Sequence, residues 1–153
     1  MDAKWIERFV ELAAHIATWS KDPSLQVGAV IIRPDRTVAS VGFNGLPRGV
    51  EDDAERLGDR DTKLRYTVHA ELNAILAAKE PLIGYSIVVY PIQPCAQCAA
   101  AIIQAGISEV ICPRIAGSST CSHNVSTAPT RWGASFEAAC AMFHEAGTVV
   151  RWV

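Results

Sequence analysis

The feature that most constrains this chain is an alternation written into its second half. "YSIVVY" (85–90) reads as a continuous apolar strand, "AQCAAAIIQAG" (96–106) as a helix and "SEVIC" (108–112) as a strand. "RWGASFEAACAMFHEAG" (131–147) is again a helix and "TVVRW" (148–152) a last strand. Both helices close on Ala-Gly, the composition of a helix stop, and the chain returns almost at once into a strand. Strand–helix–strand units with such short links pair in parallel through right-handed crossovers. Upstream, "VGAVIIR" (27–33) and "TVASVGF" (37–43) are β-rich runs separated by "PDR", which predicts an antiparallel hairpin. At the N-terminus Trp5, Phe9, Leu12, Ile16 and Trp19 recur at helical spacing, with Lys4, Glu7, Arg8 and Glu11 opposite. That is an amphipathic helix; the apolar stretch of a signal peptide would be uninterrupted. The expected class is α/β, a mixed five-stranded sheet with helices on both faces. No linker, repeat or low-complexity tract interrupts it, so residues 1–153 are expected to form a single domain.

At 153 residues the chain is long enough for one full core. A net charge of −2 offers no electrostatic case for a nucleic-acid or membrane partner, and no run approaches membrane-spanning length. Five cysteines, an odd number clustered late and without an export signal, argue for reduced thiols in the cytoplasm. A CxxC pair is then metal-binding or redox before it is a structural disulfide. Two connections exceed plain turns. Residues 44–66 carry "NGLPRG" and "EDDAERLGDRDTK", with room for a short helix, and residues 114–130 are rich in Ser, Thr and Gly. Loops of that length in a compact domain are usually functional or disordered.

Chemistry concentrates at two predicted helix starts. The helix "YTVHAELNAILAAK" (66–79) carries His69 and Glu71 in its first turn, ahead of ordinary packing residues. "PCAQC" (94–98) opens the next helix, where Pro94 fits because its missing N–H costs nothing. Cys95 and Cys98, three apart, share a helix face, and the N-terminal dipole favours their thiolates. Alone, the CxxC also reads as a redox pair, and His69 as a cap or a surface group. Together they read differently. Helix N-termini of a parallel α/β layer gather at the carboxyl edge of the strands, where ligands bind. One His and two thiolates make three zinc ligands and leave a tetrahedral position open, the pattern of a catalytic site. Glu71 is not needed as a ligand there and is well placed to move protons.

"HAELNAI" with "PCAQCAAAIIQAGI" resembles the zinc-dependent cytidine/deoxycytidylate deaminase superfamily, whose signature is H-x-E…P-C-x-x-C. The likeness runs from "DPSLQVGAVI" (22–31) to "IIQAGISEVI" (102–111), and "GFNGLPRGVEDD" (42–53) is similar to the deoxycytidylate (dCMP) deaminases within it. The resemblance implies a three-layer α/β/α cytidine-deaminase-like fold with zinc held by His69, Cys95 and Cys98. It implies hydrolysis at C4 of a cytosine mononucleotide, dCMP to dUMP with ammonia release, and Glu71 as the proton shuttle. Asn44 matches an asparagine that hydrogen-bonds the sugar or base, and the backbone of Ala70 and of residues 27–29 would line the base pocket. Asn44 also reads as a turn residue before Gly45. Arg48 and Gln26 are candidate substrate contacts, Arg48 to a phosphate, that also read as solvated loop side chains. The resemblance further implies a homo-oligomer.

Cys112 and Cys140 read as small core residues, and His15 and His144 as structural or exposed positions of amphipathic helices. "CSH" (121–123) pairs with nothing else and is not expected to be a second metal site. After Val110 the chain departs from the dCMP deaminases, with "CPRIAGSSTCSHNVSTAPTRWGASFEAAC" (112–140) where the superfamily closes its pocket. A nucleoside, a modified pyrimidine nucleotide or a free base such as guanine therefore stays open as substrate. Deamination of tRNA adenosine shares "HAE" and "PCxxC" but calls for a basic surface. A non-catalytic zinc-stabilised module would have no use for Glu71. The expected partner is a small-molecule nucleotide or nucleobase.

Overall fold

The computed structural model describes residues 1–113 and 132–153, so the "CSH" run at 121–123 lies outside the described residues. In chain order the elements are α1 (Ala3–Ala17), β1 (Gly28–Ile32), β2 (Val38–Phe43), α2 (Ala54–Gly58), α3 (Arg60–Tyr66) and α4 (Ala70–Ala77). They continue with β3 (Ser86–Tyr90), α5 (Ala96–Gln104), β4 (Glu109–Cys112), α6 (Gly133–Glu145) and β5 (Val149–Trp152). The five strands form one mixed sheet in the order β2-β1-β3-β4-β5. β1 pairs antiparallel with β2, as the hairpin reading expected, and antiparallel with β3. β3, β4 and β5 are mutually parallel, as the strand–helix alternation requires.

The layers follow from side-chain alternation along the central strands. β1 is buried throughout, and its residues feed two cores in turn. Val30 and Ile32 join Val88 and Ile111 beneath Ile6, Phe9, Ala13 and Ile16 of α1. Ala29 and Ile31 join Ile87, Val89 and Val110 beneath Ala70, Ala74, Ala99, Ile102 and Phe143 of α4, α5 and α6. One helix covers one face and three cover the other, which is the expected α/β/α arrangement. Gly106 and Gly147 end the two late helices at φ of +80° and +71°, the left-handed turn that glycine makes without strain.

Two local expectations need correction. The 44–66 connection holds two short helices rather than one, because two aspartates cap them in succession. Asp53 accepts from the Arg56 N–H to start α2, and Asp59 accepts from the Thr62 N–H to start α3. The helix expected over 66–79 is shorter, Ala70–Ala77, because Tyr66 belongs to α3 and the next residues are extended. Val68 is drawn out by a bridge to Gly45, with N–H···O bonds of 2.8 and 3.1 Å. α4 then packs tightly on β2. A Cβ at Gly42 would stand 2.3 Å from the Ala70 carbonyl oxygen and 2.4 Å from the Ala74 nitrogen. His15 and His144 are exposed, and Cys112 is fully buried as expected. Cys140 is only half-buried, where the sequence expected a small core residue.

Candidate metal centre and substrate pocket

α4 and α5 begin in the same way. His69 and Cys95 are their N-cap residues, with extended backbones at φ/ψ of −70°/155° and −74°/172°, and neither side chain caps its own helix. Both side chains are therefore free for a distant partner, and they meet each other. The His69 Nδ1 lies 3.5 Å from Cys95 Sγ and 3.4 Å from Cys98 Sγ, although 26 and 29 residues separate them in sequence. All three donor atoms fall within 4.8 Å of one another. Zinc bond lengths of about 2.3 Å to sulfur and about 2.0 Å to nitrogen, at tetrahedral angles, place S and N about 3.5 Å apart. The donor set and its spacing fit zinc.

The electrostatics agree with that chemistry. A hydrogen bond from the Cys98 thiol, reinforced by His69, brings the Cys95 thiol down to about 4. The Cys98 thiol, donating that bond from a buried position, is pushed up. The His69 imidazole is raised by its bond to Cys95, against the opposing effect of burial. A proton is thus shared within a cluster that a cation would displace, since metal binding requires thiolates and neutral imidazole. Glu71, in the first turn of α4, is 4% exposed. Burial pushes its carboxyl up, while its own backbone N–H and the charge of His69 pull the other way.

These groups open onto a pocket of about 640 Å³ of empty space, continuous with solvent, to which Val27, Asn44, His69, Ala70, Glu71 and Cys95 contribute. Val27 and Ala70 both line it. Asn44 lines the pocket too, but its side chain is engaged with the chain itself. Its Oδ1 accepts from the Val27 N–H at 2.8 Å and its Nδ2 donates to the Leu25 carbonyl at 2.9 Å. Arg48 and Gln26 are not brought to this pocket. Arg48 borders an adjacent cleft with Trp19, Lys21 and Asp52, and Gln26 is exposed and donates to the Ser20 carbonyl.

Sequence reasoning missed the polar end of the pocket. Lys63, only 6% exposed, donates to Asp22 Oδ1 and Ser24 Oγ, both at 2.8 Å. Asp22 Oδ1 also accepts from the N–H groups of Ser24 and Leu25, at 2.7 and 3.1 Å. Burial alone would raise the Asp22 carboxyl; the Lys63 ammonium and those two N–H groups outweigh it and hold it below the usual carboxylate range. Forty-one residues separate Asp22 from Lys63, and no local pattern announces the pair. Trp132 and Phe136, one turn apart at the start of α6, complete the wall, and the sequence reading singled out neither.

Fold and site together define a metal-dependent enzyme architecture in which a buried carboxyl stands beside a His/Cys/Cys centre. Residues 3–113 match the family model for the cytidine and deoxycytidylate deaminase zinc-binding region, and the chain belongs to that family. An uncharacterized deaminase encoded in the luxG 3' region of Aliivibrio fischeri is 46% identical over 153 residues, covering 100% of this chain and 96% of that protein. The deoxycytidylate deaminase of Mus musculus is 42% identical over 113 residues, 71% of this chain. That alignment spans 64% of the mouse protein, just under two thirds of its length. A solved dCMP deaminase of the cyanophage S-TIM5 shares the fold, with a TM-score of 0.73 at 18% identity over 100% of both chains.

Proposed function

We propose that this protein is a zinc-dependent hydrolase that converts dCMP and water to dUMP and ammonia. The observation that carries the reading is the meeting of His69, Cys95 and Cys98 beside a buried Glu71, with His69, Glu71 and Cys95 on the wall of one pocket. The likeness to the mouse deoxycytidylate deaminase supports the substrate, and the cyanophage dCMP deaminase of the same fold is solved with dCMP and dUMP.

His69 Nδ1 and the sulfurs of Cys95 and Cys98 would hold the metal. Zinc, when bound there, supplies the Lewis acidity that makes water acidic enough to give up a proton near neutral pH. Glu71 takes that proton on its carboxylate as the water oxygen attacks C4 of the base. It passes that proton to the ring nitrogen N3, then takes the remaining proton from the hydroxyl now on C4 and delivers it to the amine, so that the C4–N bond breaks, a C4 carbonyl forms and ammonia leaves. Burial favours the protonated carboxyl, which suits Glu71 to carry the proton from the water to the base. The Ala70 and Val27 backbone borders the base, and Asn44 holds that wall in place by tying down residues 25–27.

The test is ammonia release by zinc-loaded protein from cytidine, deoxycytidine, their monophosphates, guanine and adenine. Release from dCMP in preference to the others is expected. Release from guanine with none from dCMP would overturn the substrate assignment and leave the metal chemistry standing.

A further inference from the structure

The start of α6 forms a wall of the pocket that the family match does not reach. Trp132 is the N-cap of α6, Phe136 follows one turn later, and both line the pocket with His69, Glu71 and Cys95. Their rings lie 6.2 Å apart with planes 19° from parallel, so they present one aromatic surface. Two hydrogen bonds fix this turn to the segment that carries a metal ligand. The Ala96 N–H donates to Ser135 Oγ at 3.0 Å, and the buried Gln93 amide donates to the Phe136 carbonyl at 3.4 Å. The aromatic surface is thereby held in register with Cys95. Both aromatic residues lie beyond residues 3–113, so the matched region supplies the metal end and the rest of the chain supplies this surface.

A nucleobase has polar edges and apolar faces. Its amine-bearing edge has to meet Glu71 and the metal centre, which leaves its faces to be covered by something flat and apolar. Among the described lining residues, Trp132 and Phe136 are the aromatic carbocycles in position to do this. We propose that Trp132, backed by Phe136, is the stacking surface for the substrate base, a binding residue beyond the zinc-deaminase signature. The proposal rests on the deaminase reading, and its test separates the two.

Zinc-loaded wild type, Trp132→Phe and Trp132→Ala are compared for ammonia release from dCMP and for quenching of tryptophan fluorescence by dCMP, with melting temperature and zinc content recorded. Loss of a stacked ring should raise KM about tenfold or more in Trp132→Ala, while Trp132→Phe stays within about threefold of wild type. The kcat should change far less than KM, which a merely structural role for Trp132 would not produce. The part of the emission that Trp132→Phe removes should be the part that dCMP quenches. An unchanged KM in Trp132→Ala, or dCMP binding without quenching of that emission, would overturn the proposal. If Trp132→Ala fails to fold, Trp132→Leu replaces it under the same criterion. If dCMP is not turned over, the substrate assignment fails by itself. The quenching experiment then decides the stacking surface, using whichever panel compound the protein deaminates or, failing any, dCMP itself.

Discussion

The two ends of the pocket are built on opposite plans. At the metal end, His69, Glu71, Cys95 and Cys98 all sit within the first turns of two helices, and the sheet below decides where those helices start. Each reactive group is placed by local backbone, and only the final meeting of imidazole and thiols is long-range. At the polar end the positions come from side chains. Lys63 of α3 reaches back to Asp22 and Ser24, while Asn44 at the end of β2 holds Val27 and Leu25. One end turns its donor atoms toward a common centre and leaves capping positions unused to do so. The other uses its polar atoms to hold a loop and a short helix in register around the pocket. Loss of a group at the first end should abolish activity with the fold kept, whereas loss at the second should cost stability first.

The sharpest way to break that contrast is at Cys98. Cys98→Ala removes one of three donors and is expected to lose bound zinc and essentially all ammonia release while keeping its far-UV circular dichroism; metal analysis and the activity assay report it. At the opposite end, Lys63→Met leaves the Asp22 carboxylate buried without its cation and should cost about 3 kcal/mol of stability, read by urea denaturation. Asp22→Asn combined with Lys63→Met should recover most of that loss, because the amide oxygen still accepts from the Ser24 and Leu25 N–H groups. A smaller effect is expected in acid. The folded Asp22 carboxyl is depressed, so its stabilisation is complete above the ordinary value of about 4 and is lost as the pH falls through the lower folded value. Melting temperatures measured across that range should fall for wild type and fall less steeply for Asp22→Asn.

The same contrast explains what could be read from the sequence. The sheet was legible because its signals are periodic and local: a hairpin with a turn between two β-rich runs, then helices stopped by Gly106 and Gly147 ahead of strands. The metal end was legible for a related reason. A helix start fixes the direction of a side chain, so His69 and the cysteine pair could be assigned to one edge of the sheet before any distance was known. The polar end was not legible, because an ion pair between residues 22 and 63 depends on how α3 folds back, and aspartate capping decides that. Asn44 was recognised as part of the pocket, yet its hydrogen bonds go to the chain. Arg48 looked like a substrate contact from its charge and proximity in sequence, but the Gly45–Val68 bridge leaves the loop that follows beside a neighbouring cleft. The Trp132 and Phe136 surface has a simple i, i+4 signature that also fits ordinary packing, and only the tertiary position of α6 turns it toward the pocket.

In the proposed reaction Glu71 moves the proton beside the metal centre without being one of the three residues that would hold it. That division of labour is tested by ammonia release from dCMP with wild type and Glu71→Gln at equal, measured zinc content. Glutamine keeps the size and burial but cannot exchange a proton, so turnover should fall by about 10²–10⁴-fold with zinc bound one to one in both proteins. Retention of wild-type turnover by zinc-loaded Glu71→Gln would contradict it.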